Sequence, residues 1–220
     1  MDQSEVDWYD DFYGEVSVSG KPGRTRDILH NLMEKGLVGD TRFPKVLEIG
    51  ANLGEHLAYV KHDYDEYFLT DVRVPPEFAD PRITSMEADV HKLPFADDEF
   101  DRVVVTCVFH HLPNPGAAFQ ELRRVTRAGG LITILIPTDP GLGYRTVRTA
   151  TTVREARKRG IGNAVNVMHS KAHHNHFWAL RNLLKDAYKN DSVDALYWPL
   201  RIPSWNANLL TVWNITVGRR

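Results

Sequence analysis

The chain has 220 residues, 42% of them hydrophobic, with one cysteine and a formal net charge of −2. That length suits one domain with a sizeable core. The near-neutral balance gives no global electrostatic case for nucleic acid, no apolar run reaches the ~18 residues of a membrane span, and a single thiol cannot build an intramolecular disulfide framework.

Residues 1–23 open acidic and aromatic, with Asp2, Glu5, Asp7, Trp8, Tyr9, Asp10, Asp11, Phe12 and Tyr13. No basic signal-peptide pattern stands there. With the lone thiol, this makes a reducing, cytoplasmic setting the expectation. Ser17, Ser19, Gly20, Pro22 and Gly23 mark a loop. A helix is expected from Thr25 to about Lys35, with Ile28, Leu29, Leu32 and Met33 on one face and Gly36 at its end. Arg24 or Arg26 at its start could grip a carboxylate through a bidentate pair.

Lys45-Val46-Leu47-Glu48-Ile49 then reads as a strand that feeds a small-residue turn, Gly50-Ala51-Asn52-Leu53-Gly54. A helix-like segment follows, Glu55 to Val60. Strand, glycine turn and helix make a nucleotide cradle. Gly50 permits the sharp turn, Gly54 permits a close approach, and free N–H groups at a helix start favour a carboxylate or phosphate. Glu48 decides what kind of ligand. A fixed negative charge at the strand end repels a pyrophosphate and suits an ammonium group. The dinucleotide pattern G-x-G-x-x-G needs glycine at 50, 52 and 55, where the chain has Gly50, Asn52 and Glu55. A second strand, Tyr67 to Val72, carries Asp71 21 positions after Gly50, where a carboxylate can accept both ribose hydroxyls.

Val103–Val108 is a buried run, and Cys107 within it reads as a small apolar residue. His110 and His111 follow at the carboxyl edge of that strand, where open α/β sheets bind ligands. Pro115 suits the first turn of a helix over 116–126. Ala128-Gly129-Gly130 ends that helix, and Leu131–Ile136 is a buried strand. A loop at 137–143 leads into a basic stretch with Arg145, Arg148, Arg154, Arg157, Lys158 and Arg159, opposed only by Glu155. This is either a solvated face or a surface for a phosphate or acidic acceptor. His169, His173, His174 and His176 crowd the start of a long helix expected over about 172–188. On it His173 and His176 share a face. Strands are expected at 193–198 and 208–217. Zinc sites usually add cysteine or a Glu-bearing signature such as H-E-x-x-H, absent here, so no metal is expected.

The chain resembles the class I S-adenosylmethionine-dependent methyltransferases, particularly the small-molecule branch. The resemblance rests on Leu47-Glu48-Ile49-Gly50-Ala51-Asn52-Leu53-Gly54, Thr70-Asp71, Ala88-Asp89-Val90, Leu93-Pro94-Phe95 and Phe100-Asp101-Arg102-Val103-Val104-Val105. His110-His111-Leu112 and Glu121 to Leu131 also match, so it covers residues 45–137. One departure is Asn52, where the family usually has glycine; asparagine tolerates left-handed backbone angles. The resemblance implies a Rossmann-like, doubly wound α/β fold: a mostly parallel seven-stranded sheet with an antiparallel C-terminal strand and helices on both faces. It implies S-adenosylmethionine as cofactor. Glu48, Gly50, Asn52 and Gly54 would surround its methionine end, with Arg24 at the carboxylate. Asp71 would hold the ribose and Val72 flank the adenine. Asp89 would meet the adenine amino group with Val90 beside it, and Thr106 would lie near the reacting methyl.

It further implies one domain: a cap segment at 1–40, a cofactor core at 41–137, an acceptor-binding insertion at 138–175 and a C-terminal part at 176–220. A hydroxyl acceptor needs a proton removed, and His110, His173 and His176 are the candidate bases. Thr106-Cys107-Val108-Phe109 replaces the Asn/Asp-Pro-Pro-aromatic turn of nucleic-acid amino-methyltransferases. The expected partner is therefore a small-molecule acceptor, an anionic nucleotide sugar or phosphorylated glycan, with an oligomer possible. A tail likeness to methyltransferases found with polysaccharide genes points toward sugars. A lipid- or quinone-type methyltransferase and a non-catalytic member of the fold are the alternatives.

Overall fold

The structure, a computed structural model, describes residues 24–37 and 40–219, the first two in backbone only. The acidic opening and most of the cap segment lie outside the described residues. Seven strands form one sheet: β1 Lys45–Ile49, β2 Glu66–Asp71, β3 Ile83–Glu87, β4 Phe100–Thr106, β5 Thr126–Pro137, β6 Ser192–Trp198 and β7 Leu210–Thr216. Their order is β3-β2-β1-β4-β5-β7-β6. The pairs from β3 to β5 are parallel, and β7 runs antiparallel to both β5 and β6. This is the Rossmann-like, doubly wound α/β sheet implied by the resemblance. The order reverses between β1 and β4, so the ligand crevice opens at their carboxyl ends.

Alternation along each strand sends side chains to two different cores. Leu47, Ile49, Val103 and Val105 pack with Phe119, Leu122, Phe177, Leu180 and Leu184. Those residues come from two helices, α2 at Pro115–Val125 and α6 at Phe177–Ala187. The helix α2 starts as its sequence predicts, with Pro115 in the first turn and the Asn114 side chain accepting from the Ala117 N–H. Val46, Tyr67, Leu69 and Val104 face the other way, against Met33 of α1 (Arg24–Met33). That second face also holds a fully buried ion network. Arg102 of β4 donates to both carboxylate oxygens of Glu34, at 2.6 and 3.2 Å. Glu34 also pairs with His56 Nε2 at 3.0 Å and accepts the Lys61 N–H. Burial pushes the Glu34 carboxyl up, but the His56 hydrogen bond and the Arg102 charge outweigh it and hold it well below the usual range.

Three expected elements differ. The segment after the glycine turn is a five-residue 3₁₀ helix, Glu55–Tyr59, because His56 is drawn fully under the sheet toward Glu34. The strand β5 begins directly where α2 ends, and its opening residues carry an irregular register against β4 before regular pairing from Leu131. The long tail helix is two helices. The first, α5, spans Gly162–Ala172, the chain extends over 173–176, and α6 follows. The basic stretch of the insertion is helical, with α3 at Leu142–Arg148, a π-helical turn at Thr149–Val153 and α4 at Arg154–Lys158 before α5. Among the described residues, no helix is long and apolar enough to cross a membrane.

Candidate active site

At the cofactor end, β1 and β2 finish side by side, with Ile49 opposite Thr70. Gly50 (φ 70°), Asn52 (φ 47°) and Gly54 (φ 76°) all take left-handed angles, so Asn52 does what a glycine would. The glycines serve the chain's own packing. A Cβ on Gly50 would meet Val108 Cγ2 at 2.2 Å, and one on Gly54 would meet the Phe78 ring at 2.5 Å. The turn's N–H groups are not simply free. Asn52 donates to Asp71 Oδ2 at 3.0 Å, and Leu53 donates to Glu55 Oε2 at 3.2 Å. Protein carboxylates thus hold donors that the sequence reserved for a ligand.

Glu48 is 2% exposed and accepts from the Tyr67 hydroxyl at 2.8 Å. Burial pushes its carboxyl up to about 7, against the pull of His56 and the Tyr67 hydrogen bond. Asp71 also accepts the Val72 N–H, at 2.7 Å. Beyond it a depression of about 430 Å³ is lined by Val72, Glu87, Ala88, Asp89, Lys92 and Pro94. Val72 is 72% exposed there, whereas the Val90 side chain belongs to the core. Val90 is not among the residues lining the depression. Asp89 accepts from the His91 N–H and ring through Oδ1, and these two bonds hold its carboxyl below the usual range. Thr106, at the end of β4, donates to the Met33 sulfur at 3.2 Å. Arg24 opens α1, and its side chain is outside the described residues.

The second cluster lies at the carboxyl ends of β4 and β5. His110 and His111 sit on a 3₁₀ turn, Phe109–His111, directly after β4. His169 lies in the last turn of α5, and His173 caps that helix. The Asn175 side chain donates to the Phe109 and Leu112 carbonyls, and its N–H donates to the His110 carbonyl. These bonds tie the extended 173–176 segment onto the 3₁₀ turn. Ring centroids lie 4.2 Å apart for His110 and His173, 4.0 Å for His110 and His111, and 3.8 Å for His169 and His173. Asp139, just past β5, accepts from both His169 Nε2 and His173 Nδ1 at 3.0 Å. Burial raises the Asp139 carboxyl, but its two imidazole donors win and keep it ionised. Burial pushes His173 down to about 4 and His110 well below its ordinary value, so both rings are neutral near pH 7.

The structure therefore joins His110 with His173 and leaves His176 outside. His176 is exposed at the start of α6 and does not share a helix with His173, because α5 has already ended. Asp139 is the residue that sequence reading passed over as part of a loop. Its only signal was its place, two residues beyond the buried strand. Cys107, just past β4, is half-buried rather than part of the core, and desolvation pushes its thiol up to about 12. Arg145, Arg154 and Arg157 of the insertion are exposed, while Lys158 and Arg159 pair with Glu155.

Residues 45–134 match the methyltransferase domain family. The chain is similar to YafE of Escherichia coli, an uncharacterized protein, at 26% identity over 160 residues and 70% of each chain. It is 38% identical over 60 residues to the ubiquinone/menaquinone biosynthesis C-methyltransferase UbiE of Coxiella burnetii, covering 27% of this chain and 24% of that one. The fold is similar to that of the 1,6-didemethyltoxoflavin-N1-methyltransferase of Burkholderia thailandensis, solved with its substrate and S-adenosylhomocysteine. There the TM-score is 0.62 at 17% identity, over 98% of this chain and 88% of that one. Residues 45–134, which span β1 to most of β5, thus carry a methyltransferase domain, on a sheet with the fold of the solved S-adenosylmethionine-dependent methyltransferases.

Proposed function

We propose that this enzyme methylates a hydroxyl of a small anionic acceptor, a sugar or sugar-containing metabolite such as a nucleotide sugar. The observation that carries the reading is the histidine cluster around Asp139 at the carboxyl edge of β4 and β5. A hydroxyl must lose a proton as it is methylated, and neutral imidazoles oriented by a carboxylate are the groups to handle it. Asp139 takes the Nδ1 proton side of His173 and so leaves Nε2 as its lone pair. His110 stands beside it.

The chain's donors fit the cofactor. Glu48, with Gly50, Asn52 and Gly54 around it, suits the methionine end, and Arg24 its carboxylate. Asp71 suits the ribose. Val72 and Asp89 suit the adenine, at the wall of the depression beyond β2 and β3. Thr106 would lie nearest the reacting end. Bound there, S-adenosylmethionine supplies an electrophilic methyl carbon, and the protein's task is mainly to position the acceptor oxygen in line with it. Exposed Arg145, Arg154 and Arg157 lie on the insertion that also carries His169, which favours an anionic acceptor. A quinone-type acceptor is the second reading, favoured by the likeness to UbiE.

The test is release of S-adenosylhomocysteine with nucleotide sugars and with quinones. With the active acceptor, the double charge reversal Arg154→Glu and Arg157→Glu should raise KM about tenfold or more with kcat nearly unchanged. An unchanged KM, or turnover with the apolar acceptors alone, removes the anionic reading.

A further inference from the structure

We infer that His110, His111 and His173 form a binding site for a borderline divalent ion of the zinc type, with Asp139 orienting His173 from behind. One ring nitrogen of each of the three histidines lies within 4.8 Å of the other two. Nitrogens around a tetrahedral ion at ~2.0–2.1 Å stand roughly 3.4 Å apart. The rings would therefore have to draw closer together to hold an ion.

The tautomers already suit an ion. His173 gives its Nδ1 proton to Asp139, and His111 gives its own to the Ala172 carbonyl at 2.9 Å. His173 then presents Nε2 as a lone pair. Metal-bound imidazoles are oriented in this way, by an oxygen acceptor on the far nitrogen. His110 supplies a separate observation. Its ring is 6% exposed, and its Nδ1 is buried with no hydrogen-bond partner. The hydrogen bonds to Asp139 leave that atom unpartnered, as they leave His169 Nδ1. An ion among the three rings would draw on His110 Nδ1.

One further point favours this set over Asp139, His169 and His173, whose ligand atoms also lie close together. Asp139 Oδ2 already accepts two N–H groups there, and an ion would displace both. No metal is expected from the sequence because an H-E-x-x-H pair is missing. The ligands instead come from two separate segments that Asn175 ties together.

The inference rests on the O-methylation reading for its role. Three histidines leave a fourth position open, and an acceptor hydroxyl placed there would give up its proton to water more readily. The role of His110 and His173 then changes from taking the proton to holding the ion that loosens it.

The experiment is a Co²⁺ titration of tag-free protein freed of metal by chelator, with Zn²⁺ as competitor. We expect one equivalent bound, a visible absorption band of tetrahedral type, and its loss on adding Zn²⁺. Asp139→Asn should weaken binding roughly 10- to 100-fold, and His111→Ala and His173→Ala more. His169→Ala should keep the band. Calorimetry with S-adenosylhomocysteine, unchanged in every variant, shows that the fold survives. No band and no bound zinc in the wild type, or wild-type affinity in His111→Ala, overturns the site. So does loss of binding in His169→Ala alone. Undiminished methylation of a hydroxyl by metal-free protein overturns the ion's role while the O-methylation reading stands. A bound ion in a protein that methylates only carbon or nitrogen sinks that reading and leaves the site.

Discussion

The two ends of the ligand crevice are built differently. The proposed cofactor end is carboxylate: Glu48, Asp71 and Asp89 stand at or just beyond the ends of β1, β2 and β3, on backbone fixed by parallel pairing. Its turn runs through seven consecutive residues, Glu48 to Gly54. The proposed acceptor end is imidazole: His110, His111, His169 and His173 gather beside Asp139 from two separate parts of the chain, the 3₁₀ turn after β4 and the end of α5 in the insertion. One end presents fixed charge on rigid strands. The other presents neutral groups, held by hydrogen bonds between segments and open to change by a ligand, a proton or an ion. On the proposed assignment of the two ends, the sheet holds the cofactor and the insertion selects the acceptor.

The largest effect expected on that contrast concerns the support of the cofactor end. Arg102→Leu leaves the fully buried Glu34 carboxylate without its guanidinium partner. Removing one member of such a pair costs about 3–5 kcal/mol, and in a chain of this size the melting temperature should fall by roughly 6–20 °C. Calorimetry checks it. Asp139→Asn, at the less buried acceptor end, should shift the melting temperature far less. Equal shifts would end the contrast between a rigid and an adaptable half.

A smaller effect separates the two ends by ligand. Asp71→Ala loses the proposed ribose contact and releases the Asn52 N–H that shapes the turn. Affinity for S-adenosylhomocysteine should fall about 100-fold by titration calorimetry, the scale of a charge-assisted hydrogen bond. Asp139→Asn should leave that affinity intact. Unchanged binding in the Asp71 variant would take the residue out of the cofactor site.

The same contrast governs what could be read from the sequence. Strand order follows from buried runs alternating with helices, and the glycine turn with Glu48 and Asp71 is a local pattern, so both were legible. The 3₁₀ turn after Gly54 was not, because its cause is His56 reaching Glu34, 22 residues away in the chain. The break before α6 escaped notice for a similar reason. Nothing in Lys171-Ala172-His173-His174 forbids a helix, and the segment is extended because Asn175 pins it to the 109–112 turn. His176 was grouped with His173 on a continuous helix that does not exist. Asp139 looked like loop because its partners, His169 and His173, lie 30 and 34 residues on.

The smallest predicted effect is the most specific to Glu48. Its carboxyl stands at about 7 in the folded chain, raised by burial from an ordinary value of 4.5. Between those values the folded protein holds a proton that the unfolded chain has lost, so this residue's contribution to stability falls as pH rises from 4.5 through 7. An ammonium beside Glu48 favours the carboxylate, so binding the cofactor product should expel that proton. Affinity for S-adenosylhomocysteine should therefore rise roughly five- to tenfold between pH 6 and 7.5, before the ligand's own amine titrates near ~8. Calorimetry in two buffers of different ionisation heat would count the proton released. Glu48→Gln should flatten the pH profile and abolish the buffer dependence while the Tyr67 hydroxyl keeps an oxygen to donate to. If the slope survives in that variant, the proton belongs to another group and Glu48 does not face the ammonium.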